Sequence, residues 1–330
     1  MRIGILGVAH LHVDAYIGNL RAAGAEVVGV HDRDALRARM WGARFGVAVY
    51  ESLDRLLDAD LDAVVVCSET VHHAELVESA AAAGCAVLCE KPLGVGTDDS
   101  ARIVAACERA GVPLMTAFPV RFHPAVRQLH GLVSGGGLGA LRALNGTNQS
   151  VMPLRERSWF ADPVLAGGGA MMDHIVHLAD VFSWLLGAAP DQVYAVGNRI
   201  VHSEVVTVET SGLVMLDYPG GVFASIDCSW NRPLDFPTWG GIGLSVVGDG
   251  GIVEVDAMRQ RLTRFGGGQA FGWTPWGVDI NQLMIDDFLA AVRDGRDPSV
   301  TGRDGLIATT VALTALESAA SGTAVAWPGV

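Results

Sequence analysis

The residues Ala86-Val87-Leu88-Cys89-Glu90-Lys91-Pro92 join a short apolar run to a charged turn. The run predicts a buried parallel strand, and in open α/β sheets ligands bind beyond the carboxyl ends of such strands. Lys91 is the only lysine among the 23 lysine and arginine residues of the chain. Arginine stays protonated and presents a broad planar fork, whereas lysine is a compact charge whose pKa can be tuned. We therefore predict that Lys91 takes part in the chemistry of a site; the alternative is a surface lysine retained by chance.

Apolar runs alternate with helix-length segments on both sides of this strand. Strands are predicted at 2–6, 26–30, 61–67, 86–89 and 113–117, and helices at 13–23, 71–83 and 97–111. Thr97 is a predicted N-cap and Gly111 a predicted C-terminal glycine of the last of these helices. Strands and helices alternating at this spacing predict a doubly wound parallel sheet. We place this α/β domain at residues 1–120.

The remaining residues, 121–330, have a different pattern. Gly167-Gly168-Gly169 opens a predicted helix that runs to Leu186, after a helix at 122–132 and a strand at 140–151. Further strands are predicted at 193–200, 205–216, 222–230, 243–247 and 252–255, and helices at 280–294 and 304–321. Consecutive strands without intervening helices indicate an antiparallel sheet. We predict an α+β domain with an open, mostly antiparallel sheet.

The composition disfavours several classes of protein. Half of the residues are hydrophobic and 18% are charged, which argues against disorder. A formal net charge of −13 argues against a nucleic-acid partner, whose phosphates would be repelled. No apolar run approaches the ~18 residues of a membrane span. The first apolar run is broken too early for a signal peptide. Five cysteines without C-x-x-C spacing favour a reducing cytoplasm: Cys67, Cys85, Cys89, Cys107 and Cys228.

The turn after the first strand occupies the place of a dinucleotide-binding fingerprint. Gly7 matches its first glycine, while Ala9 and His12 replace the second and third. Asp32 follows the second strand, where a carboxylate accepts hydrogen bonds from an adenosine ribose; a helix N-cap is its alternative role. We expect NAD rather than NADP, because Asp32 would repel a 2′-phosphate. Arg33 could instead turn towards such a phosphate.

Asp173 and His177 are four residues apart on the helix after the triple glycine. Residues at this spacing share one helix face. A carboxylate beside an imidazole is a general-base arrangement, because the acid can orient the ring and stabilise its protonated form. We predict that Asp173 orients His177. The alternative is an ordinary surface pair.

The chain as a whole resembles the glucose–fructose oxidoreductase, inositol dehydrogenase and rhizopine-catabolism family (Gfo/Idh/MocA). The matching segments are Cys89-Glu90-Lys91-Pro92-Leu93, Ser68-Glu69-Thr70-Val71-His72-His73, Phe118-Pro119-Val120-Arg121-Phe122, Gly167 to Asp173 with His177 and Asp180, and Ala324-Val325-Ala326-Trp327-Pro328. The resemblance implies a Rossmann domain, a second domain with an open sheet, and a site between them. It also implies NAD(P)-dependent oxidation of a sugar, cyclitol or related polyol, with Lys91, Asp173 and His177 as catalytic residues.

Further residues are predicted to contact the cofactor or the substrate. The cofactor-binding residues are predicted to be Gly7, Ala9, His10, His12, Asp32, Arg33, Ser68, Glu69, His73, Glu90, Lys91, Pro92 and Arg121. The substrate contacts are predicted to be Gln149, Arg157, Trp159, His174, Trp230 and Arg232. The chain departs from the family pattern where Thr-Pro-Asn is replaced by Ser68-Glu69-Thr70, where Asn is replaced by Pro119, and where Gly is replaced by Ile175.

Three alternatives remain open at this point. Convergent histidines and a carboxylate could bind zinc, although we predict no metal: His10, His12, His72, His73, Asp173, His174 and His177. The protein could bind a nucleotide and a sugar without catalysis. It could also be a hydrolase or epimerase that uses a tightly held nucleotide transiently.

The predicted open sheet needs a cover on its outer face, which carries Val, Leu, Ile and Phe side chains. The closing helices are too few to supply that cover. We predict a homodimer or homotetramer.

Overall fold

The computed structural model describes residues 1–155, 157–257, 261–264, 272–275 and 277–330. Strands and helices alternate through its first part. They are β1 (Arg2–Leu6), α1 (Val13–Ala22), β2 (Glu26–His31), α2 (Ala35–Phe45), β3 (Ala48–Val49), α3 (Leu53–Leu57), β4 (Ala63–Val66), α4 (His73–Ala82), β5 (Ala86–Cys89), α5 (Thr97–Ala110) and β6 (Leu114–Thr116).

These six strands form one parallel sheet in the order β3-β2-β1-β4-β5-β6. The order confirms the predicted doubly wound fold. Every residue of β4 and β5 is buried, because helices cover both faces of the sheet. The carboxyl ends of β1, β2, β4 and β5 therefore meet at one edge, where their following turns can converge.

The second part contains α6 (Pro124–Ser134), β7 (Leu141–Val151), α7 (Pro163–Ala166), α8 (Ala170–Leu186), β8 (Gln192–Asn198), β9 (Ser211–Tyr218), β10 (Val222–Arg232), β11 (Gly240–Gly248), β12 (Gly251–Asp256), β13 (Arg261–Arg264), β14 (Gly272–Pro275), α9 (Ile280–Asp294), α10 (Gly302–Ser321) and β15 (Val325–Ala326). Its main sheet has the order β12-β11-β7-β10-β9-β8-β15. All neighbouring strands are antiparallel except β7 and β10, which are parallel. The predicted open, mostly antiparallel sheet is confirmed.

The strand predicted at 205–216 begins later than its apolar pattern suggested. The observed strand β9 starts at Ser211. Val206 and Val208 instead pack in a separate cluster with Trp159 and Phe160. Glu209, two residues before β9, binds the amino end of α8: its carboxylate accepts from the backbone N–H groups of residues 169 and 171.

Two helix ends also differ from prediction. Thr97 is the first residue of α5 rather than its cap, because Gly96 takes the extended N-cap conformation without a side-chain bond. The helix predicted from residue 304 starts at Gly302, after Thr301 and Asp304 form a reciprocal capping box. Gly111 closes α5 in a left-handed conformation, as predicted.

The closing helices connect the two sheets. Helix α10 packs against α8 of the second part and α5 of the first, while α9 packs against α1. Asn19 on α1 donates to the side chains of Asp279 and Gln282. These contacts do not test the predicted division at residue 120, which remains a prediction.

Within the described residues, no helix is both long and apolar enough to cross a membrane.

Candidate active site

Lys91 lies at the carboxyl end of β5, in a turn whose Lys91–Pro92 peptide bond is cis. Its residue surface is only 4% exposed. The ammonium nitrogen lies 2.5 Å from Asp173 Oδ1 and 3.3 Å from the Asp173 carbonyl oxygen. The lone lysine is therefore a buried charge fixed between the two parts of the chain, and the surface alternative is wrong.

Asp173 receives further contacts on its second carboxylate oxygen. The indole N–H of Trp230 donates to Oδ2 at 3.0 Å, and His174 Nε2 lies 3.3 Å from the same atom. Burial acts to raise the pKa of Asp173, but Lys91 and His174 outweigh it and hold that pKa well below its usual range. Asp173 is thus an ionised carboxylate that fixes the position of Lys91.

His177 lies one turn further along α8, but Asp173 does not orient it. Within the described part of the chain, the Asp173 carboxylate bonds to Lys91 and Trp230, while His177 Nδ1 is buried without a hydrogen-bond partner. The predicted Asp173–His177 hydrogen bond is therefore wrong. Burial, followed by the charge of Lys91, lowers the pKa of His177 well below 6.5. The imidazole is neutral at pH 7 and can accept a proton.

The triple glycine lets α8 begin close to neighbouring backbone. Gly167 has a φ of 82°, which disfavours other residues. A Cβ at Gly169 would collide with the Glu209 carbonyl oxygen. Glu209 then binds the free N–H groups at the start of α8. These contacts place the first turn of the helix, with Asp173, opposite Lys91.

His174 and Trp230 both contact the Asp173 carboxylate, so they are not free to contact a substrate. His174 Nδ1 donates to the Asn148 carbonyl oxygen at 2.9 Å, and its Nε2 lies 3.2 Å from Ser150 Oγ. Trp230 is fully buried and its indole N–H is used on Asp173. Both residues hold the carboxylate in place, so their predicted substrate role is corrected to a supporting one.

Gln149 faces away from this site. Its side-chain amide donates to Asp227 on β10, at the exposed face of the sheet. Its neighbour Asn148 donates to the His174 carbonyl oxygen, on the face covered by α8. Because successive strand side chains alternate between faces, Gln149 cannot contact a substrate beside Asp173. That prediction is wrong.

The remaining predicted substrate residues are Trp159, Arg157 and Arg232, and each contacts another part of the chain. Trp159 donates its indole N–H to the Ala9 carbonyl oxygen at 3.1 Å and so lies over the turn after β1. The Arg157 guanidinium lies 5.9 Å from the Trp41 ring centroid. Arg232 donates to Thr238 and stacks on Phe236. Of these, Trp159 is the one that the structure brings next to the predicted nucleotide turn.

The turn after β1 has the backbone that a dinucleotide needs. Gly7 has a φ of 78°, and a Cβ there would lie 2.5 Å from the Ser68 side chain. Val8 N–H donates to Asp32 at 2.7 Å and thereby ties the turn to the end of β2. Gly7 lets the turn pass close to the backbone of residue 68, and a glycine here beside a carboxylate at the end of the second strand is typical of a dinucleotide site; Ala9 and His12 keep side chains where that pattern has glycine.

His10 and His12 of this turn form a cluster with Glu90, in which His10 and Glu90 are buried and the His12 side chain is 24% exposed. Glu90 Oε1 lies 2.8 Å from His12 Nδ1 and 3.3 Å from His10 Nδ1, while its other oxygen accepts from the Lys91 backbone N–H. Burial opposes ionisation of Glu90, but the two histidines dominate and hold its pKa well below its usual range. One atom from each of the three residues lies within 4.8 Å of the others, so this set could hold a metal ion.

The other histidines of the zinc alternative do not join that cluster. His73 Nδ1 lies 3.0 Å from the Pro92 carbonyl oxygen, and its Nε2 faces the Ser68 carbonyl oxygen. His174 and His177 lie on α8, beside Lys91 and Asp173. The histidines that the sequence groups together therefore do not form a single site.

Asp32 lies at the end of β2 as predicted, but it does not cap a helix. Asp34 caps α2, with its side chain accepting from the backbone N–H groups of Leu36 and Arg37. Asp32 is paired with Arg37, a residue that the sequence did not indicate. Arg33 pairs with Glu75 at the surface.

Arg121 does not reach the nucleotide turn. Its guanidinium makes two hydrogen bonds to Asp180, at 2.8 and 2.6 Å, and one to Asp304 at 2.7 Å. These contacts join the segment after β6 to α8 and α10. The predicted cofactor role of Arg121 is corrected to that of a buried ionic link, which the sequence could not reveal because its partners are 59 and 183 residues away.

Two family models match most of the chain. Residues 1–118 match "Oxidoreductase family, NAD-binding Rossmann fold" and residues 126–254 match "GFO/IDH/MocA C-terminal domain". D-xylose 1-dehydrogenase (NADP(+)) 2 of Haloferax volcanii is 34% identical over 71% of this chain and 70% of its own length. The 1,5-anhydro-D-fructose reductase of Ensifer adhaerens is 27% identical over 98% and 97% of the two chains.

A solved structure supports the same comparison. GenD2 from gentamicin A biosynthesis, in complex with NAD, superposes with a TM-score of 0.89 and 25% identity over 100% of this chain and 97% of its own. The similarity therefore spans both sheets and the cleft between them.

Proposed function

Because the chain belongs to the GFO/IDH/MocA family of oxidoreductases, we propose that it oxidises a secondary alcohol of a sugar, cyclitol or related polyol with NAD. The observation that carries this proposal is the buried Lys91–Asp173 pair beside His177. It combines a fixed positive charge with a neutral base, which are the two groups that removal of an alcohol proton needs. The names of the relatives, which are sugar dehydrogenases and reductases, support the substrate class.

Lys91, Asp173 and His177 have different roles in the proposed oxidation. Lys91, held by Asp173, donates a hydrogen bond to the substrate oxygen and stabilises the negative charge that develops there. His177 takes the hydroxyl proton. The bound nicotinamide supplies the acceptor for the hydride that leaves the alcohol carbon. Gly7 and Ala9 would hold the phosphates of the dinucleotide, and Asp32 would accept hydrogen bonds from its adenosine ribose.

A panel of sugars, cyclitols and polyols tests this proposal by absorbance at 340 nm. The purified chain with excess NAD should reduce the nucleotide with at least one member of the panel. Tight nucleotide binding without turnover on any member would favour the non-catalytic binding protein. Substrate conversion without net reduction would favour the hydrolase or epimerase.

The proposed nucleotide is NAD rather than NADP. Asp32 is buried at the end of β2, where the ribose hydroxyls of a dinucleotide would lie and where its charge would disfavour a 2′-phosphate. Arg33, which could have offset that charge, is paired with Glu75. A tenfold tighter binding of NADP than of NAD in a titration of the free protein would contradict this preference.

The pH dependence of oxidation follows from His177. Because burial and Lys91 lower the pKa of His177 below 6.5, its basic form persists at neutral pH and is lost only as the pH falls through the lowered value. We therefore expect kcat/KM for oxidation to be level between about pH 8 and pH 6.5, as far as His177 determines it, and to fall below that range. A pH–rate profile that loses activity already between pH 8 and pH 7 would contradict a neutral His177, provided that the substrate does not titrate there.

We also propose that the protein is a homo-oligomer assembled through the outer face of the large sheet. Tyr194 and Val196 on β8 pair in register with Met215 and Leu213 on β9, and all four side chains are more than two fifths exposed. An apolar face of this kind marks an interaction surface. The other face is covered by α8 and α10.

Leu213→Glu combined with Met215→Glu should convert the assembly to monomers, because a charge buried in the contact has no partner. Light scattering at micromolar concentration measures the mass. Met40→Glu, at a residue 65% exposed on α2, is the matched control and should leave the mass unchanged. A monomeric wild-type protein, or a double variant that keeps its mass, would contradict the interface.

The proposed location is the cytoplasm. All five cysteines are free and buried, as expected in a reducing compartment.

A further inference from the structure

Asp32 already has a full set of hydrogen-bond donors. Its Oδ2 accepts from Val8 N at 2.7 Å and from Arg37 Nε at 2.9 Å. Its Oδ1 accepts from Asp34 N and from Arg37 Nη2, each at 2.8 Å. A carboxylate offers about four acceptor positions, and all four are occupied here.

A ribose hydroxyl can therefore reach Asp32 only by replacing one of these donors. Val8 and Asp34 donate from the backbone of the turns that follow β1 and β2, so their N–H groups are fixed by the fold. The two Arg37 donors lie on a long side chain that is 27% exposed. Arg37 is the partner that can withdraw.

Arg37 has a second carboxylate partner to hold it. Its Nη1 donates to Glu69 Oε1 at 2.8 Å, and the Glu69 side chain is only 12% exposed. Glu69 follows β4, the strand next to β1 in the sheet. The guanidinium thus bridges two carboxylates from neighbouring turns, at the edge of the sheet where the adenosine end of a dinucleotide lies.

The charge of this group disfavours an additional anion. Asp32 and Glu69 carry two negative charges against the single positive charge of Arg37, while the nearby Arg33 and Glu75 pair with each other. A ribose 2′-phosphate carries about two negative charges at neutral pH. Without Glu69, Arg37 would be an arginine positioned to bind that phosphate through paired N–H groups.

We propose that Glu69 is a specificity-determining residue, which acts through Arg37 to make the adenosine site select a free 2′-hydroxyl over a 2′-phosphate. When the ribose takes the place of Arg37 on Asp32, Glu69 retains the guanidinium and keeps it from serving as a phosphate ligand. This inference rests on the proposed use of a nicotinamide dinucleotide. It adds to Asp32 a second carboxylate that determines which dinucleotide is bound.

Nucleotide titrations of the full chain test the inference without any substrate. The dissociation constants of NAD and NADP are measured by tryptophan fluorescence for the wild type, Glu69→Gln, Arg37→Gln and the double variant. Glu69→Gln should tighten NADP binding by about tenfold, because one negative charge is removed and Arg37 is freed. NAD binding should change by less than about twofold, and the double variant should lose the gain in NADP affinity, because the guanidinium provides it.

Two further variants make the result specific. Glu69→Asp keeps the charge and should keep the preference for NAD. Glu78→Gln removes the same charge from the Arg102 ion pair on α4 and α5 and should change neither constant. An unchanged NADP constant in Glu69→Gln, an equal tightening of both nucleotides, or a gain that survives in the double variant would overturn the role of Glu69. A wild-type protein that binds neither dinucleotide would instead contradict the proposed function itself.

Discussion

Lys91→Arg lowers kcat by an expected ~10²–10³-fold, which corresponds to a loss of about 3–4 kcal/mol in transition-state stabilisation. The ammonium nitrogen is held 2.5 Å from Asp173 in a buried site, and the turn around it is packed between α8 and the segment that carries Trp159 and Phe160. A guanidinium is broader and planar, so it cannot point one donor at Asp173 and another at the substrate oxygen from the same position. The positive charge is kept, but its placement is lost.

The binding of NAD should change by less than about threefold in this variant, because Gly7 and Asp32 lie at other strands of the sheet edge. The measurements are kcat on the identified substrate and the NAD dissociation constant. Arg102→Lys is the matched control: it exchanges the two cations in the opposite direction at a surface pair and should leave kcat unchanged. Near-normal turnover of Lys91→Arg would remove Lys91 from the mechanism.

His177→Ala should lower kcat for oxidation by about 10²–10⁴-fold, because the proton of the hydroxyl group loses its acceptor. The ring is neutral and buried, and its Nδ1 has no partner in the described residues. Its removal breaks no hydrogen bond that holds Lys91 or Asp173. The loss should therefore appear in the chemical step rather than in folding or in nucleotide binding.

The pH profile distinguishes a catalytic from a structural role of His177. If His177 is the base, the fall in kcat/KM at low pH should disappear in His177→Ala, and the remaining rate should rise with hydroxide concentration. If the variant is slow but its kcat/KM still falls at low pH as in the wild type, another group is responsible for that fall. Asp173→Asn is the comparison variant, because it weakens the contact that holds the Lys91 ammonium while His177 stays in place.

The sequence predicts well those features that depend on local patterns. The alternation of apolar runs and helical segments predicted the parallel sheet, and the unbroken series of strands predicted the mostly antiparallel one; both are confirmed. Family membership, which rested on the Glu90-Lys91-Pro92 turn and the triple-glycine helix, is also confirmed. Such signals work because backbone preference and burial act over a few neighbouring residues.

The pairing of charged groups was much less predictable. The spacing of Asp173 and His177 places them on one side of a helix, but it does not show that Lys91 and Trp230 occupy the carboxylate first. Arg121 pairs with Asp180 and Arg37 with Glu69, which are 59 and 32 residues away, and no local pattern encodes those contacts. Ion pairs are decided by which side chains the fold brings within reach of each other, and this depends on the whole tertiary structure.

The other error concerned the face of a strand on which a side chain lies. Gln149, a predicted substrate contact, lies on the opposite face of β7 from the site. One residue of register separates it from Asn148, which bonds to the backbone of α8. Because strand side chains alternate, that single position moves Gln149 to the opposite side of the sheet.

The amount of NADH formed per protein chain tests the central claim most directly. Catalytic amounts of the wild-type protein are mixed with excess NAD and with the substrate found in the panel, and absorbance at 340 nm is followed to its end point alongside the product concentration. A dehydrogenase should form many NADH molecules per chain, one for each alcohol oxidised. An end point of one NADH per chain or fewer, with the substrate still converted, would show that the nucleotide is used transiently and would contradict the account.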